Sequence, residues 1–256
     1  MKTYKLIACA FLAALAFVLQ VSNEVIGIPT GFGMTIDLTA VPVMLALFIF
    51  GAEYAFLTLM VLGAIILISS PSGIVGSVMK VGATLPMLLI PYYVGKAKGL
   101  AEYAYAAIGT LVLLLALFFA TTWIYSPLRG GMLEYFVGLV PIGLLLGLTY
   151  YASREKAGGA TDLSNVRVAA LALVLAILVR GAVATLANLY FAGPVFFQTP
   201  PEAFIGFLDS LPIPFLGAGM GWFVLFFWNA VQGAVEFIVA WVLAYRFGLL
   251  KRYGDD

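Results

Sequence analysis

The run VRVAALALVLAILVRGAVATLANLYF, residues 166–191, carries after Arg167 a single charge, Arg180. It is longer than the roughly 18 apolar residues that mark a helix able to cross a bilayer. Comparable runs divide the rest of the chain into about eight candidate helices. They cover roughly 4–21, 36–50, 53–69, 74–94, 101–125, 132–152, 166–191 and 219–247. Of the 256 residues, 64% are hydrophobic and 10% are charged, whereas a soluble domain carries about 25% charge. The expected fold is therefore an all-α polytopic membrane bundle in one integral membrane domain, 1–256. Pro71, Gly73, Pro127, Gly130, Gly131, Pro194, Pro200 and Pro201 punctuate its turns.

The composition removes whole classes of function. With no His there is no imidazole base, His-ligated metal or His proton relay, and one Cys, Cys9, rules out an internal disulfide. Thirteen basic against 12 acidic residues give a net charge of +1, which offers nucleic acid no general attraction. No phosphate-binding Gly-x-x-x-x-Gly-Lys loop occurs, so ATP-driven work needs partner chains. No carboxylate pair has catalytic spacing, and Asp37 and Glu236 are expected on different helices at opposite depths. The chain is expected not to be an enzyme and to need no cofactor.

Lys2 and Lys5 ahead of the apolar 6–21 stretch could open a secretory signal, and Leu6-Ile7-Ala8-Cys9 resembles a lipoprotein cleavage box. Only eight residues precede Cys9, so the segment is read as a retained first transmembrane helix. Lys2, Lys5, Lys96, Lys98, Arg154, Lys156, Arg167, Arg246, Lys251 and Arg252, ten of the 13 basic residues, fall on one side of the eight-helix arrangement. Arg129 falls on the other. Basic loops mark the cytoplasmic side, so both termini are expected in the cytoplasm of a cell-membrane protein. The external side then holds Glu24, Asp37, Glu134, Glu202 and Asp209, with the irregular connections 22–35 and 192–215. The glycine-rich 27–33 segment either covers a cavity mouth or is a plain connector.

Lys80, Arg180 and Glu236 lie inside apolar helices, where a charge needs a partner or a wet cavity. Arg180 and Glu236 come out at roughly 20–24 Å depth, which suits an ion pair; transmission of motion between helices is the other reading. Asn229, Gln232, Gly233 and Glu236 are spaced to share one helical face. Lys80 and Asn188, at about 8–10 Å, lie near the level of Asn229 at about 13 Å. Amides suit a neutral heterocycle with imide edges, so this level is either a solute pocket or polar glue between helices. Tyr190, Phe191, Phe196, Phe197, Trp222, Phe226, Phe227 and Trp228 would wall such a pocket. Ala10 and Ala14 form a small-xxx-small pair for internal packing or for docking a separate membrane subunit.

The segment Thr35-Ile36-Asp37-Leu38-Thr39-Ala40-Val41-Pro42, with Leu45-Ala46 and Phe50-Gly51, resembles a substrate-binding (S) component of energy-coupling factor (ECF) transporters. The similarity is greatest to the riboflavin-specific group, whose pattern is Asp-x-Ser-x-x-Pro followed by Phe-Gly; Thr39 takes the Ser position. Asn188-Leu189-Tyr190-Phe191 is similar to that group's Asn-Tyr-Phe stretch. Asn229-Ala230-Val231-Gln232-Gly233 is similar to its Asn-x-x-Lys-Gly stretch, with Gln232 in place of the lysine. Gly73-Ile74-Val75-Gly76 followed by Lys80 resembles the family's fourth helix. The resemblance implies a six-helix core in 1–94 and 166–247, with 101–152 as an inserted helical pair. It implies substrate-binding roles for Asp37, Thr39, Lys80, Asn188, Asn229, Gln232 and Gly233, with riboflavin as the transported ligand. It further implies that Ala10 and Ala14 contact a transmembrane coupling subunit, and that two ATPases drive toppling of the S component in the lipid bilayer. Another vitamin or base, a self-standing transporter, and a membrane enzyme or scaffold are the rival readings.

Overall fold

A computed structural model describes residues 3–125, 139, 141–147, 150 and 162–250. Arg129, Glu134, Arg154, Lys156, most of the 132–152 helix, and the turn at Pro127, Gly130 and Gly131 lie outside the described residues. The chain is an all-α bundle, and among the described residues six helices are long and apolar enough to cross a membrane. It is a multi-pass membrane protein.

Helix α1 runs Thr3–Ile26, several residues beyond the expected end, and leads into the paired strands β1 (Ile28–Pro29) and β2 (Thr35–Ile36). Helix α2 is Val41–Phe50, α3 is Ala52–Ser69, α4 is Gly73–Lys96 and α5 is Leu100–Tyr125. Residues 141–147 are also helical. Helix α6, Val166–Ala187, continues through a π-helical turn, Asn188–Ala192, into α7, Gly193–Phe197. A short amphipathic helix α8, Pro201–Asp209, precedes α9, Phe223–Trp241, which a second π turn extends to Arg246. Helix α8 occupies a stretch expected to be irregular. Pro201 is its first residue, where a missing N–H costs nothing and the fixed φ favours a helical start.

The bundle is built around α6, which packs on both α4 and α9, while α2 sits between α3 and α9 and α1 lies against α2 and α3. Met44, Leu47, Leu59, Leu62, Leu85 and Leu88 fill the common core. Phe11 on α1, and Ile108 and Phe118 on α5, face outward, as expected for surfaces bathed in hydrocarbon. Helix α2 is apolar on every side and almost wholly buried. Its 10 residues span only about 15 Å, half the roughly 30 Å hydrocarbon thickness. Gly51, at φ +97°, reverses the chain directly into α3, a left-handed turn that glycine adopts without strain. The polar segment ahead of α2 therefore lies at membrane depth.

Glycines set the α6–α9 spacing. A Cβ on Gly181 would lie 2.6 Å from the Phe226 ring, and one on Gly233 would lie 2.9 Å from Arg180 Cδ and 3.2 Å from Met87 Sδ. Gly109 on α5 has open space in the same position. Gly181→Ala is therefore expected to lower stability by about 1–3 kcal/mol through overpacking, while Gly109→Ala is tolerated. Apparent melting temperatures in detergent check this; equal values for the two variants would contradict the close crossing.

Candidate functional site

Four charges form one chain through the centre of the bundle. The Arg180 guanidinium on α6 donates to Glu236 Oε2 on α9 at 2.6 Å. The Lys80 ammonium on α4 donates to Glu236 Oε1 at 3.1 Å and to Asp37 Oδ1 at 2.8 Å. Arg180 and Glu236 are buried, and Lys80 keeps only a small exposed fraction. Each charge thus has a partner of opposite sign, the condition for leaving it at membrane depth.

Gln232, one turn before Glu236, ties this chain to the backbone ahead of α2. Its carbonyl oxygen accepts from the Asp37 N–H at 2.9 Å, and its amide nitrogen donates to the Asp37 carbonyl at 2.9 Å. The side chain thereby imitates a neighbouring β-strand. Non-helical backbone at this depth cannot be left without hydrogen-bond partners, and Gln232 supplies both. The same nitrogen lies 2.6 Å from Glu236 Oε1 and 3.2 Å from Asp37 Oδ1. The Thr39 N–H donates to Asp37 Oδ1 at 2.7 Å, and Asn23 on α1 donates to Asp37 Oδ2 at 3.3 Å and to Thr35 Oγ1 at 2.6 Å.

A cavity of about 570 Å³ lies above this floor. Asp37, Lys80, Arg180, Asn188, Asn229 and Gln232 line it, together with Gln20 and Asn23 of α1, Met34, Met79, Phe32, Phe196 and Phe197. The hairpin contributes part of its wall through Phe32, Gly33, Met34 and Thr35. Gly31 and Gly33 adopt φ of +92° and +87°, Thr30 Oγ1 donates to the Met34 carbonyl at 2.8 Å, and Phe32 is buried in one apolar cluster with Leu189, Phe204 and Leu225. Of the 27–33 segment, Phe32 and Gly33 line the cavity. Asn188 opens the π turn of α6, and its amide nitrogen donates to the Ala184 carbonyl at 2.8 Å. Asn229 does the same to the Leu225 carbonyl at 2.9 Å. Among the described residues neither Asn Oδ1 has a protein partner, so both remain available to a ligand.

Several expectations change. Asp37 and Glu236 are not at opposite depths, since one ammonium bridges them. Asp37 belongs to the segment before α2 rather than to a helix, and the shortness of α2 brings it down to the Lys80 level. The depth estimates also placed Lys80 roughly 10–16 Å above Glu236; their contact means that α4 and α9 start at staggered heights. Thr39 is buried and holds the Asp37 carboxylate instead of lining the cavity. Gly233 faces Arg180, Met87 and Ile177, so its missing side chain admits a helix and not a ligand. Gln232 reaches the cavity wall, but its amide is engaged with Asp37 and Glu236. Of the expected aromatic wall, Phe196 and Phe197 line the cavity, while Phe226 packs on Gly181. Gln20 and Asn23 were absent from the sequence reading; their signal was two amides three residues apart in the last turns of α1.

Ala10 and Ala14 are exposed, while Cys9, Ala13 and Ala16 between them make the buried contacts of α1. Ala10 and Ala14 lie on a separate apolar groove of about 580 Å³ between α1 and α3, which also takes in Leu57, Val61 and Ile65.

None of the protein families, curated proteins or solved structures compared with this chain matches it.

Removing one carboxylate from the chain of charges leaves Arg180 buried without its counter-ion, a loss of about 3–5 kcal/mol. Glu236→Leu should therefore lower the apparent melting temperature sharply. The pair Arg180→Met with Glu236→Leu should recover most of the loss, because both members of the ion pair are then apolar and Lys80 keeps Asp37. A single variant as stable as the wild type would contradict the structural role of this ion pair.

Proposed function

We propose that this chain is a membrane-embedded capture subunit for a small vitamin, with riboflavin as the first candidate. The carrying observation is the cavity of about 570 Å³ with aromatic and thioether walls and two Asn carbonyls that have no protein partner among the described residues. That volume lies in the range of small-molecule sites, and an apolar wall with a few convergent polar groups is their usual composition. The motifs around Asp37, Asn188 and Asn229 support an S component of the ECF type. In this reading the hairpin side faces outward, both termini are cytoplasmic in the cell membrane, and transport requires a transmembrane coupling subunit and two ATPases. Capture outside is followed by toppling of the chain in the lipid bilayer and release inside. In this reading the ligand is bound and released with no bond of it made or broken.

A second reading, an S component for another vitamin or base, is favoured by one observation. Gln232 stands where the riboflavin group has a lysine, and its amide is held by the Asp37 backbone. The flavin ring would then rest mainly on Asn188 and Asn229.

Titration of the purified protein with riboflavin distinguishes these readings. Flavin fluorescence should be quenched at micromolar ligand or below. Asn188→Ala and Asn229→Ala should each weaken binding by about 5- to 100-fold, the equivalent of one hydrogen bond left unmade in a buried site. Absence of quenching would reject riboflavin and leave the second reading. Uptake in cells without an ATPase partner would point to a self-standing transporter instead.

The exposed placement of Ala10 and Ala14 generates a separate prediction. Ala10→Trp or Ala14→Trp should impair uptake in cells containing the coupling subunits while leaving ligand binding intact. Loss of binding in both variants would contradict a docking face on α1.

A further inference from the structure

A groove of about 460 Å³ lies between α4 and α5, apart from the central cavity. Its α5 wall is Glu102, Tyr105, Ala106, Gly109, Thr110 and Leu113, and steps of three and four residues make these one helical face. That face is about 16 Å long. The short connection 97–99 folds α5 back along α4, whose wall runs from Leu89 and Ile90 through Tyr93 to Lys96. On both helices the lining therefore passes from aliphatic to charged in the same direction, towards the α4–α5 turn. Thr110 does not interrupt this gradient, because its hydroxyl donates to the Ala106 carbonyl at 2.9 Å. At the middle of the groove a Cβ on Gly109 would meet nothing within 4 Å, so the space there is open.

The charged end carries two lysines and one carboxylate. The Lys96 ammonium lies 4.4 Å from the centre of the Tyr92 ring, and Lys98 is exposed in the turn. Glu102 already accepts from the Lys98 backbone N–H at 2.6 Å, which leaves a positive balance at this end. We infer that the groove binds an anionic phospholipid, with its phosphate at Lys96 and Lys98 and one acyl chain running past Gly109 towards Leu89 and Leu113. The order of polarity is that of a lipid, charged at the helix ends and apolar towards the bilayer interior. Width selects the occupant as well. Spread over 16 Å, the volume gives a mean cross-section of about 29 Å², against roughly 80 Å² for a helix 10 Å across. A single hydrocarbon chain fits where a partner helix does not, and an unfilled groove would forfeit dispersion contacts along both walls. Helix α5 belongs to the stretch that the transporter resemblance leaves unexplained, and the site is independent of what the central cavity holds.

Native mass spectrometry of the full-length protein, released from nanodiscs of equimolar phosphatidylglycerol and phosphatidylcholine, reads which lipids stay bound. A lysine near an anionic headgroup is worth about fivefold in affinity, so the wild type should retain phosphatidylglycerol in preference by at least that factor. Lys96→Gln with Lys98→Gln should abolish the preference, whereas Lys5→Gln, on α1 and outside the groove, should keep it. Gly109→Leu fills the open middle with a better helix former and should displace lipids of either headgroup. Equal retention of the two lipids by the wild type would overturn the anionic headgroup. Undiminished lipid on Gly109→Leu would overturn the groove as the site, even if the lysine variant fails to fold. Loss of the preference in Lys5→Gln would assign it to diffuse surface charge and contradict the inference. So would a lipid-free dimer, which would place a second copy of the chain against this face.

Discussion

A charge in the middle of a membrane costs a few kcal/mol even by lenient measures, and this protein places four there in a single chain. Glu236 is its centre. One oxygen accepts from Arg180, and the other from Lys80 and Gln232. Three long helices, α4, α6 and α9, are joined by that carboxylate, and Lys80 and Gln232 extend the connection to Asp37. Gly233 lets the arrangement close, since its bare Cα admits Arg180 and Met87 beside the helix. Without the mutual neutralisation these charges could not stay buried, and the segment ahead of α2 would keep only the amides of Gln232 and Asn23 as polar partners.

The cavity follows from the same constraint. Helix α2 is half the length needed to cross the hydrocarbon, so the bundle is left unfilled above its first turn. The β1–β2 hairpin lines that space with Phe32 and Met34 while Gln232 anchors its base at Asp37. Polar side chains are sparse in so apolar a chain, and most at this level are spent on one another. Asn188 and Asn229 stand out because each amide gives one hydrogen bond to its own helix and retains an acceptor for something else.

Much of this was legible in the sequence. The long apolar runs specify the spanning helices, the spacing of Asn229, Gln232 and Glu236 puts them on one face, and the isolated charges Arg180 and Glu236 demand partners. Depth was harder to read. Counting residues from helix ends assumes that all ends share a plane, and the Lys80–Glu236 contact shows that they do not. Asp37 was misplaced for a related reason, because hydropathy alone does not separate a spanning helix from a short buried one. Asn23 went unnoticed because α1 continues in helical register past the end of its apolar run, and Gln20 because it is a single amide inside that run. Pro200-Pro201 concealed α8, since the same dipeptide serves a turn or a helix start. The strand-like pairing of Gln232 with Asp37 joins residues 195 positions apart, and no local pattern encodes it.

Mass spectrometry of small molecules retained by the purified protein tests the ligand cavity most directly, with the combined Asn188→Ala and Asn229→Ala variant as reference. A neutral, planar aromatic molecule released from the wild type and lost from the variant is the expected result. The same molecules recovered in equal amounts from both proteins would contradict a binding role for the two asparagines and the cavity they line.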